Sequence, residues 1–276
     1  MKFAIINDMH LGPPDSGYYK DIQRKLVPHS ERLMRKFVQE MNSQENPAFV
    51  VNLGDSIEDV NDRDTDIRYF KKTVGILSGL KMPVYSLVGN HDVRTLTQRE
   101  IAQMVGHDRM YYSFDHSRYH FVMLSFEMTG DHTHNPGDIS AVVPAEQITW
   151  LKDDLNSTDK PTVVFVHYGL ADDDMKGNFW FESKPSIAML GNRREVREIL
   201  EKSGKVRAVI TAHQHWNRMF VHNDIPYFTV TSLVENFNND GVPAEAYTIV
   251  KLDDEGIRLD IRGNDPANFE YSFNRN

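Results

Sequence analysis

The sequence predicts an α/β protein with a largely parallel sheet and a second, antiparallel sheet packed on it. Three observations carry this reading. Up to Lys205, short β-branched or aromatic runs alternate with amphipathic segments at helical spacing. Beyond Lys205, strand-like runs follow one another across short turns such as "DDEG". No linker, repeat or low-complexity tract interrupts the pattern, so residues 1–276 are expected to form one domain.

In chain order, "KFAII" (2–6), "AFVVNL" (48–53), "PVYSLV" (83–88), "HFVMLS" (120–125), "PTVVFV" (161–166) and "KVRAVIT" (205–211) read as buried strands bounded by turn or polar residues. Between them "SERLMRKFVQEMN" (30–42), "TDIRYFKKTVGIL" (65–77), "PAEQITWLKDDL" (144–155) and "RREVREILEKSG" (193–204) are amphipathic. Ser30 is the expected N-cap of the first helix, Pro144 opens a later one and Gly204 ends the last. Strand alternating with helix builds right-handed βαβ units and hence parallel pairing. The late runs "RMFVHN" (218–223), "PYFTV" (226–230), "AYTIVKL" (246–252) and "GIRLDIRG" (256–263) supply the antiparallel sheet.

Bulk composition narrows the function classes. Hydrophobic residues make up 40% and charged ones 26%, an ordinary globular balance with a sizeable core. A formal net charge of −9 argues against a partner held by phosphate-backbone electrostatics, so no nucleic acid is expected. Without cysteine, disulfides, thiolate nucleophiles and Cys-ligated zinc are excluded, and any metal must take nitrogen and oxygen ligands. The apolar run of "MKFAIINDMHLG" is too short for a signal peptide, and no stretch approaches a membrane span. A cytoplasmic protein with no membrane partner is the expectation; an oligomer is left open.

Ligand-type side chains recur just after the strands. Asp8 and His10 follow the first, Gly54 and Asp55 the second, Gly89, Asn90, His91 and Asp92 the third; His167 ends "VVFVH", and His213 and His215 follow "VIT". Each has a plain structural use on its own: Asp8 and Asp55 suit Asx turns, Gly89 a tight turn, a lone histidine a cap. Loops at the carboxyl ends of parallel strands converge on one crevice, however. Independent structural uses would not concentrate one chemistry there.

The ordered set Asp8-x-His10, Gly54-Asp55, Gly89-Asn90-His91-Asp92, His167 and His213-x-His215 resembles the motifs of the calcineurin-like metallophosphoesterases, and the likeness runs the length of the chain. The family's glycine before the last pair is Ala212 here. The resemblance implies two mixed β-sheets packed as a sandwich and flanked by helices. It also implies two divalent or trivalent ions, with Asp8, His10, Asp55 and His215 on one and Asp55, Asn90, His167 and His213 on the other. Carboxylate, imidazole and amide oxygen suit manganese, iron or zinc without choosing among them. Two divalent ions outweigh the charges of Asp8 and Asp55, so an acidic protein would still draw in a phosphate ester. Such a pair activates a hydroxide for attack on phosphorus.

By the same resemblance His91 is the catalytic histidine, stabilising the transition state or protonating the leaving group. An acidic residue three places after the bridging aspartate orients it in related enzymes; here that place holds Glu58, with Asp59 next, and Asp92 is a further candidate that fits equally as a cap of the following turn. Substrate choice should lie in the loops 127–140, with His132 and His134, and 171–192, with Phe179, Trp180 and Phe181. Those aromatics suit base stacking, a dimer contact or a packed lid, and Asp172 to Asp174 reads as a solvated loop tip. The run from "AMLGNRREVREIL" through "TAHQHWNRMF" to "LVENFNN" is laid out as in the manganese-dependent ADP-ribose/CDP-alcohol diphosphatases, whereas His10 suits the bacterial class III cyclic-nucleotide and glycerophosphodiester phosphodiesterases. The expected activity is hydrolysis of a phosphodiester or pyrophosphate bond in a small nucleotide-like or glycerol-like molecule. The alternatives are a phosphomonoesterase and a non-catalytic metal-binding scaffold.

Overall fold

The computed structural model describes residues 1–129 and 140–273. Within it the chain forms two compact units: residues 1–110, 215–217 and 230–276, and residues 111–214 and 218–229. Each is built on one six-stranded mixed sheet.

In the first unit the strands run in the order Ala267–Ser272, Gly256–Arg262, Tyr247–Leu252, Lys2–Ile6, Val50–Asn52, Val84–Ser86. The last three pair in parallel, with Ile6 opposite Asn52 and Asn52 opposite Ser86, so the loops that follow leave the sheet side by side. Lys2–Ile6 pairs antiparallel with Tyr247–Leu252 on its other edge. The helix Val27–Glu40 turns Leu33, Met34 and Phe37 inward at helical spacing, and they join Ala4, Ile6 and Val50 in one buried cluster. Burying a side chain such as Phe37 contributes about 1.5–3 kcal/mol. Arg63–Leu77 adds Ile76 and Leu77 to the same cluster.

In the second unit the order is Arg218–His222, Ile225–Thr229, Val206–Thr211, Thr162–Val166, Tyr119–Leu124, Tyr112–His116. Tyr119–Leu124 and Thr162–Val166 are buried along their whole length, as parallel strands covered on both faces must be. Phe114, Phe121 and Phe165 stack there, with ring centroids 5.0 and 6.2 Å apart. Among the described residues the α-helices of this unit are Ala145–Ser157 and Arg193–Ser203, and the latter ends at Gly204 with φ 66°.

The expectation of a separate antiparallel sheet after residue 205 is corrected. Val206–Thr211 and Ile225–Thr229 are parallel members of the second unit's sheet, while Tyr247–Leu252 and Gly256–Arg262 complete the first unit's sheet. The cause lies at Asn223 and Asp224, whose φ values of 48° and 60° suit a two-residue type I′ hairpin. That hairpin folds Ile225–Thr229 back between Arg218–His222 and Val206–Thr211. Ser30 is not an N-cap, because the helix starts at Val27 with Pro28 in its first turn; the Ser30 hydroxyl instead donates to Met9 O at 2.5 Å. Among the described residues no helix is long and apolar enough to cross a membrane.

Candidate metal centre

The first unit assembles its polar loops as an extension of the parallel ladder. Asp8 N donates to Gly54 O (3.0 Å), His10 N to Asp55 O (3.0 Å) and Leu11 N to Ser56 O (3.1 Å). This lays Asp8 and His10 alongside Asp55. Asp8, His10, Asp55 and His215 all have φ between 45° and 55°. Such left-handed backbone costs about 1–3 kcal/mol per residue and collects at functional sites.

The third loop is tied to the second by Asp92, which is fully buried. Its Oδ1 accepts from Ser56 N (2.8 Å) and Ile57 N (3.2 Å), and its Oδ2 from Gly89 N (2.8 Å). Asp92 therefore fastens the ligand loops together. His91 N donates to Asp55 Oδ1 at 2.9 Å, and a Cβ on Gly89 would lie 2.1 Å from that same oxygen. Only glycine admits the Asp55 carboxylate there. Asn90 lies between them and is buried.

Asp8, His10, Asp55 and His215 are buried and bring one donor atom each to within 4.8 Å of one another. His10 Nε2 stands 3.2 Å from His215 Nε2, which is 3.4 Å from Asp8 Oδ1; His10 Nε2 is 3.9 Å from Asp55 Oδ2. Ions with bonds of about 2.0–2.2 Å place neighbouring ligand atoms about 2.8–3.6 Å apart; the first two separations fall in that range and the contact to Asp55 lies just beyond it, spacing close to that of a transition-metal site. The carboxylates behind the imidazoles agree. Glu58 Oε2 lies 2.9 Å from His10 Nδ1, and Glu235 bonds His215 Nδ1. Both rings are thereby turned with Nε2 toward Asp8 and Asp55, the arrangement that carboxylates behind metal-binding histidines impose.

The charges respond to this crowding. Burial, then the Lys25 ammonium, lowers the His10 pKa to about 4. Burial also works against charge on His215, but Asp8 and Glu235 outweigh it and raise that ring to about 10. Glu58 is buried too, which alone would raise it; Lys25, with His91 and His10, holds it well below the carboxylate range. Asn7 Nδ2 donates to Asp8 Oδ2 (2.5 Å) and Thr231 O (3.0 Å), and Ser232 Oγ to Asp8 O (2.9 Å).

His91 Nδ1 lies 2.6 Å from Asp59 Oδ1 and 3.5 Å from Glu58 Oε2, so Asp59 is its nearer carboxylate and Glu58 serves His10. On its other side His91 Nε2 is 2.8 Å from Lys25 Nζ. Lys25 and Glu235 have no place in the motif set. Asn7 carried a faint signal, an amide ending a strand just before a candidate ligand.

In the second unit His167 and His213 stand with ring centroids 5.0 Å apart. Ala212 N donates to His167 O at 2.9 Å, and His213 has φ 67°. His213 Nε2 donates to Ile187 O (3.1 Å), so in the neutral ring Nδ1 is the nitrogen with a lone pair to offer. Ala212 keeps φ outside the left-handed region, so the replacement of glycine adds no backbone strain. Phe181 is buried against the His213 ring at 4.9 Å, whereas Phe179 and Trp180 are half-buried and pack on each other. Asp172 and Asp174 are exposed and Asp173 half-buried, as a solvated loop tip is, and Asp172 also pairs with Arg193 (2.6 Å) and Arg197 (2.7 Å), pinning the start of the aromatic loop. His132 and His134 lie outside the described residues.

Buried carboxylates and imidazoles at coordination spacing, on an α/β chain with two larger mixed sheets, define a metallophosphoesterase. The chain belongs to the calcineurin-like phosphoesterase family, whose model matches residues 1–217, and is a metal-dependent phosphoric ester hydrolase. It is similar to a manganese-dependent ADP-ribose/CDP-alcohol diphosphatase from Arabidopsis thaliana, 24% identical over an aligned length of 255 residues, with 79% of this chain and 81% of the relative covered. A dimetal phosphatase from Danio rerio shares the fold, with a TM-score of 0.77 at 18% identity over 99% of each chain. So does a phosphopantetheinyl hydrolase from Mycobacterium tuberculosis, with a TM-score of 0.52 at 12% identity over 84% of this chain and 89% of the other. Membership in the family implies dinuclear metal binding.

Proposed function

We propose that the protein hydrolyses a pyrophosphate or phosphodiester bond in a small, nucleotide-like or glycerol-like molecule. Asp8, His10, Asp55 and His215 hold one ion, and Asp55 also serves a second, whose other ligands are Asn90, His167 and His213. Manganese, iron or zinc suits this donor set. When bound, such ions supply positive charge and an activated water to the phosphoryl group.

The observation that carries the reading is the pair of carboxylates behind the imidazoles. Glu235 bonds Nδ1 of His215, Glu58 approaches Nδ1 of His10 to 2.9 Å, and the two Nε2 atoms stand 3.2 Å apart beside Asp8 and Asp55. A purely structural cluster gains nothing from aiming these groups at one point. His91 stands next to the ligands with its ring set by Asp59, placed to stabilise the transition state. The likeness to a diphosphatase favours a bond between two phosphates.

The test is protein stripped by chelation and reloaded with manganese, iron or zinc in turn. It is assayed on phosphomonoesters, cyclic nucleotides, glycerophosphodiesters and nucleoside diphosphate esters. The diphosphate and diester arms are expected to lead, by at least tenfold in kcat/KM. Monoesters ahead by that margin would refute the proposal, and so would no turnover with any metal.

A further inference from the structure

Lys25 belongs to none of the motifs, yet its side chain is buried to 9% exposure. It precedes the helix Val27–Glu40, in a stretch clamped by Gly17. The Gly17 carbonyl accepts from Arg24 N (3.0 Å) and Lys25 N (3.2 Å), and a Cβ on Gly17, which has φ 82°, would lie 2.4 Å from Lys25 O. From this seat Nζ reaches both Glu58 oxygens, at 2.9 and 3.2 Å, and His91 Nε2 at 2.8 Å. The carboxylate compensates the buried charge; the bond to His91 is not needed for that.

That bond constrains the chemistry. An ammonium only donates, so His91 Nε2 accepts from Lys25 while its Nδ1–H donates to Asp59. What stands at the Nε2 edge is then a cation and not a proton ready to be given. An alkoxide leaves well only with a proton. A phosphate monoester, with a second pKa of about 6, leaves as an anion and needs a counter-charge.

We propose that Lys25 is a substrate-binding residue that exchanges its hydrogen bond with His91 for one to a phosphate on the leaving side. It thereby selects substrates in which a pyrophosphate bond joins two phosphate esters. This rests on the phosphoesterase reading above. In the reaction, water's oxygen bonds to one phosphorus and the bond from that phosphorus to the bridging oxygen breaks. The electron pair stays on the bridging oxygen, water's two protons are released, and both products are phosphate monoesters. Lys25 keeps its salt bridge to Glu58 throughout, so the positive charge is in place before the negative charge develops.

The test compares wild type, Lys25→Arg, Lys25→Met and the double variant Lys25→Met/Glu58→Gln. The double variant removes the charge of the buried carboxylate that the single one leaves without its ammonium partner, and so reads out if Lys25→Met alone fails to fold. Each manganese-loaded protein is assayed on ADP-ribose and on bis(p-nitrophenyl) phosphate, whose leaving group has no phosphate. Calorimetry measures AMP binding, and elemental analysis measures the metal content. In the Met variants kcat/KM is expected to fall at least tenfold further on ADP-ribose than on the aryl diester, and AMP to bind at least tenfold more weakly; the metal content should be unchanged in Lys25→Met, whereas the double variant, which also loses the charge behind His10, is compared at full manganese loading. Lys25→Arg should keep most of both. Equal losses on the two substrates, or unchanged AMP affinity, would overturn the assignment while leaving the phosphoesterase reading intact. A wild type that hydrolyses neither substrate would overturn that reading instead, and the assignment with it.

Discussion

Replacing Gly89 with alanine tests how tightly the Asp55 carboxylate is held. The added Cβ would lie 2.1 Å from Asp55 Oδ1 and 2.3 Å from Asp55 N, whereas ordinary contacts begin near 3.4 Å. Asp55 Oδ1 must therefore withdraw by about 1.3 Å, well beyond the ~0.2 Å that a metal ligand tolerates. The withdrawal also strains the hydrogen bond from His91 N to that oxygen. Because Asp55 is proposed to serve both ions, Gly89→Ala should lower the metal content of the reloaded protein and cut kcat/KM by about 100-fold, the penalty of an ångström-scale misplacement. Overpacking should also cost about 1–3 kcal/mol of stability. The matched control is Gly75→Ala. Gly75 lies in the helix Arg63–Leu77 with nothing within 4 Å of its added Cβ, so this change should stabilise by about 0.5–1 kcal/mol. Elemental analysis, steady-state kinetics and thermal unfolding read all of this. If Gly89→Ala kept its metal and activity within about twofold of wild type, Asp55 would not be the shared ligand.

Three further changes probe the supports. Glu235→Gln keeps a hydrogen-bonding group beside His215 Nδ1 but removes its charge, so metal affinity measured by calorimetry should drop by about 10–100-fold; unchanged affinity would refute the orienting role. Asp92→Ala leaves Ser56 N, Ile57 N and Gly89 N without their buried acceptor, a loss of about 3 kcal/mol or more in denaturant unfolding, and a loss under about 1 kcal/mol would show that the loops do not depend on it. In the second unit His120 is gripped by Asp115 at Nδ1 and Asp154 at Nε2, both 2.8 Å, with Lys160 on Asp115 and Ser113 on Asp154. Burial opposes charge on this ring, but the two carboxylates overcome it and raise its pKa. With the folded value above the unfolded one, this stability is fully present below about pH 6.5 and is lost as pH rises through the folded value. His120→Asn should thus cost about 1.5–3 kcal/mol at pH 6, and less as the pH rises; an equal cost at pH 6 and pH 9 would contradict the charged pair.

The candidate ligand set was legible because each member follows a strand whose apolar pattern is strong. Asp8, Asp55 and Asn90 announce themselves against "KFAII", "AFVVNL" and "PVYSLV", and parallel register does the rest. Their supports were harder to see. Glu235 reaches His215 from 20 residues away, and Lys25 reaches His91 from 66, with no spacing that periodicity could detect. Glu58 and Asp59 could not be ranked from the chain, since adjacent residues differ only in where the loop points them. Sheet membership after Val206 failed for a related reason: consecutive strands show that pairing occurs but not with which sheet. The helix Gln98–Val105 had a legible start in the Thr97 and Glu100 capping box, but at 8 residues its apolar pattern is short. The edge strands Tyr112–His116 and Ala267–Ser272 lack the fully buried run that marked the central ones.

The central claim is a centre for two ions that share Asp55, and metal stoichiometry tests it most directly. Wild-type protein stripped by chelation and reloaded with manganese should hold two ions per chain and regain hydrolysis of a nucleoside diphosphate ester. Asp55→Ala should hold fewer and regain none. A wild type that binds one ion or none, or that hydrolyses the ester while stripped, would contradict the account.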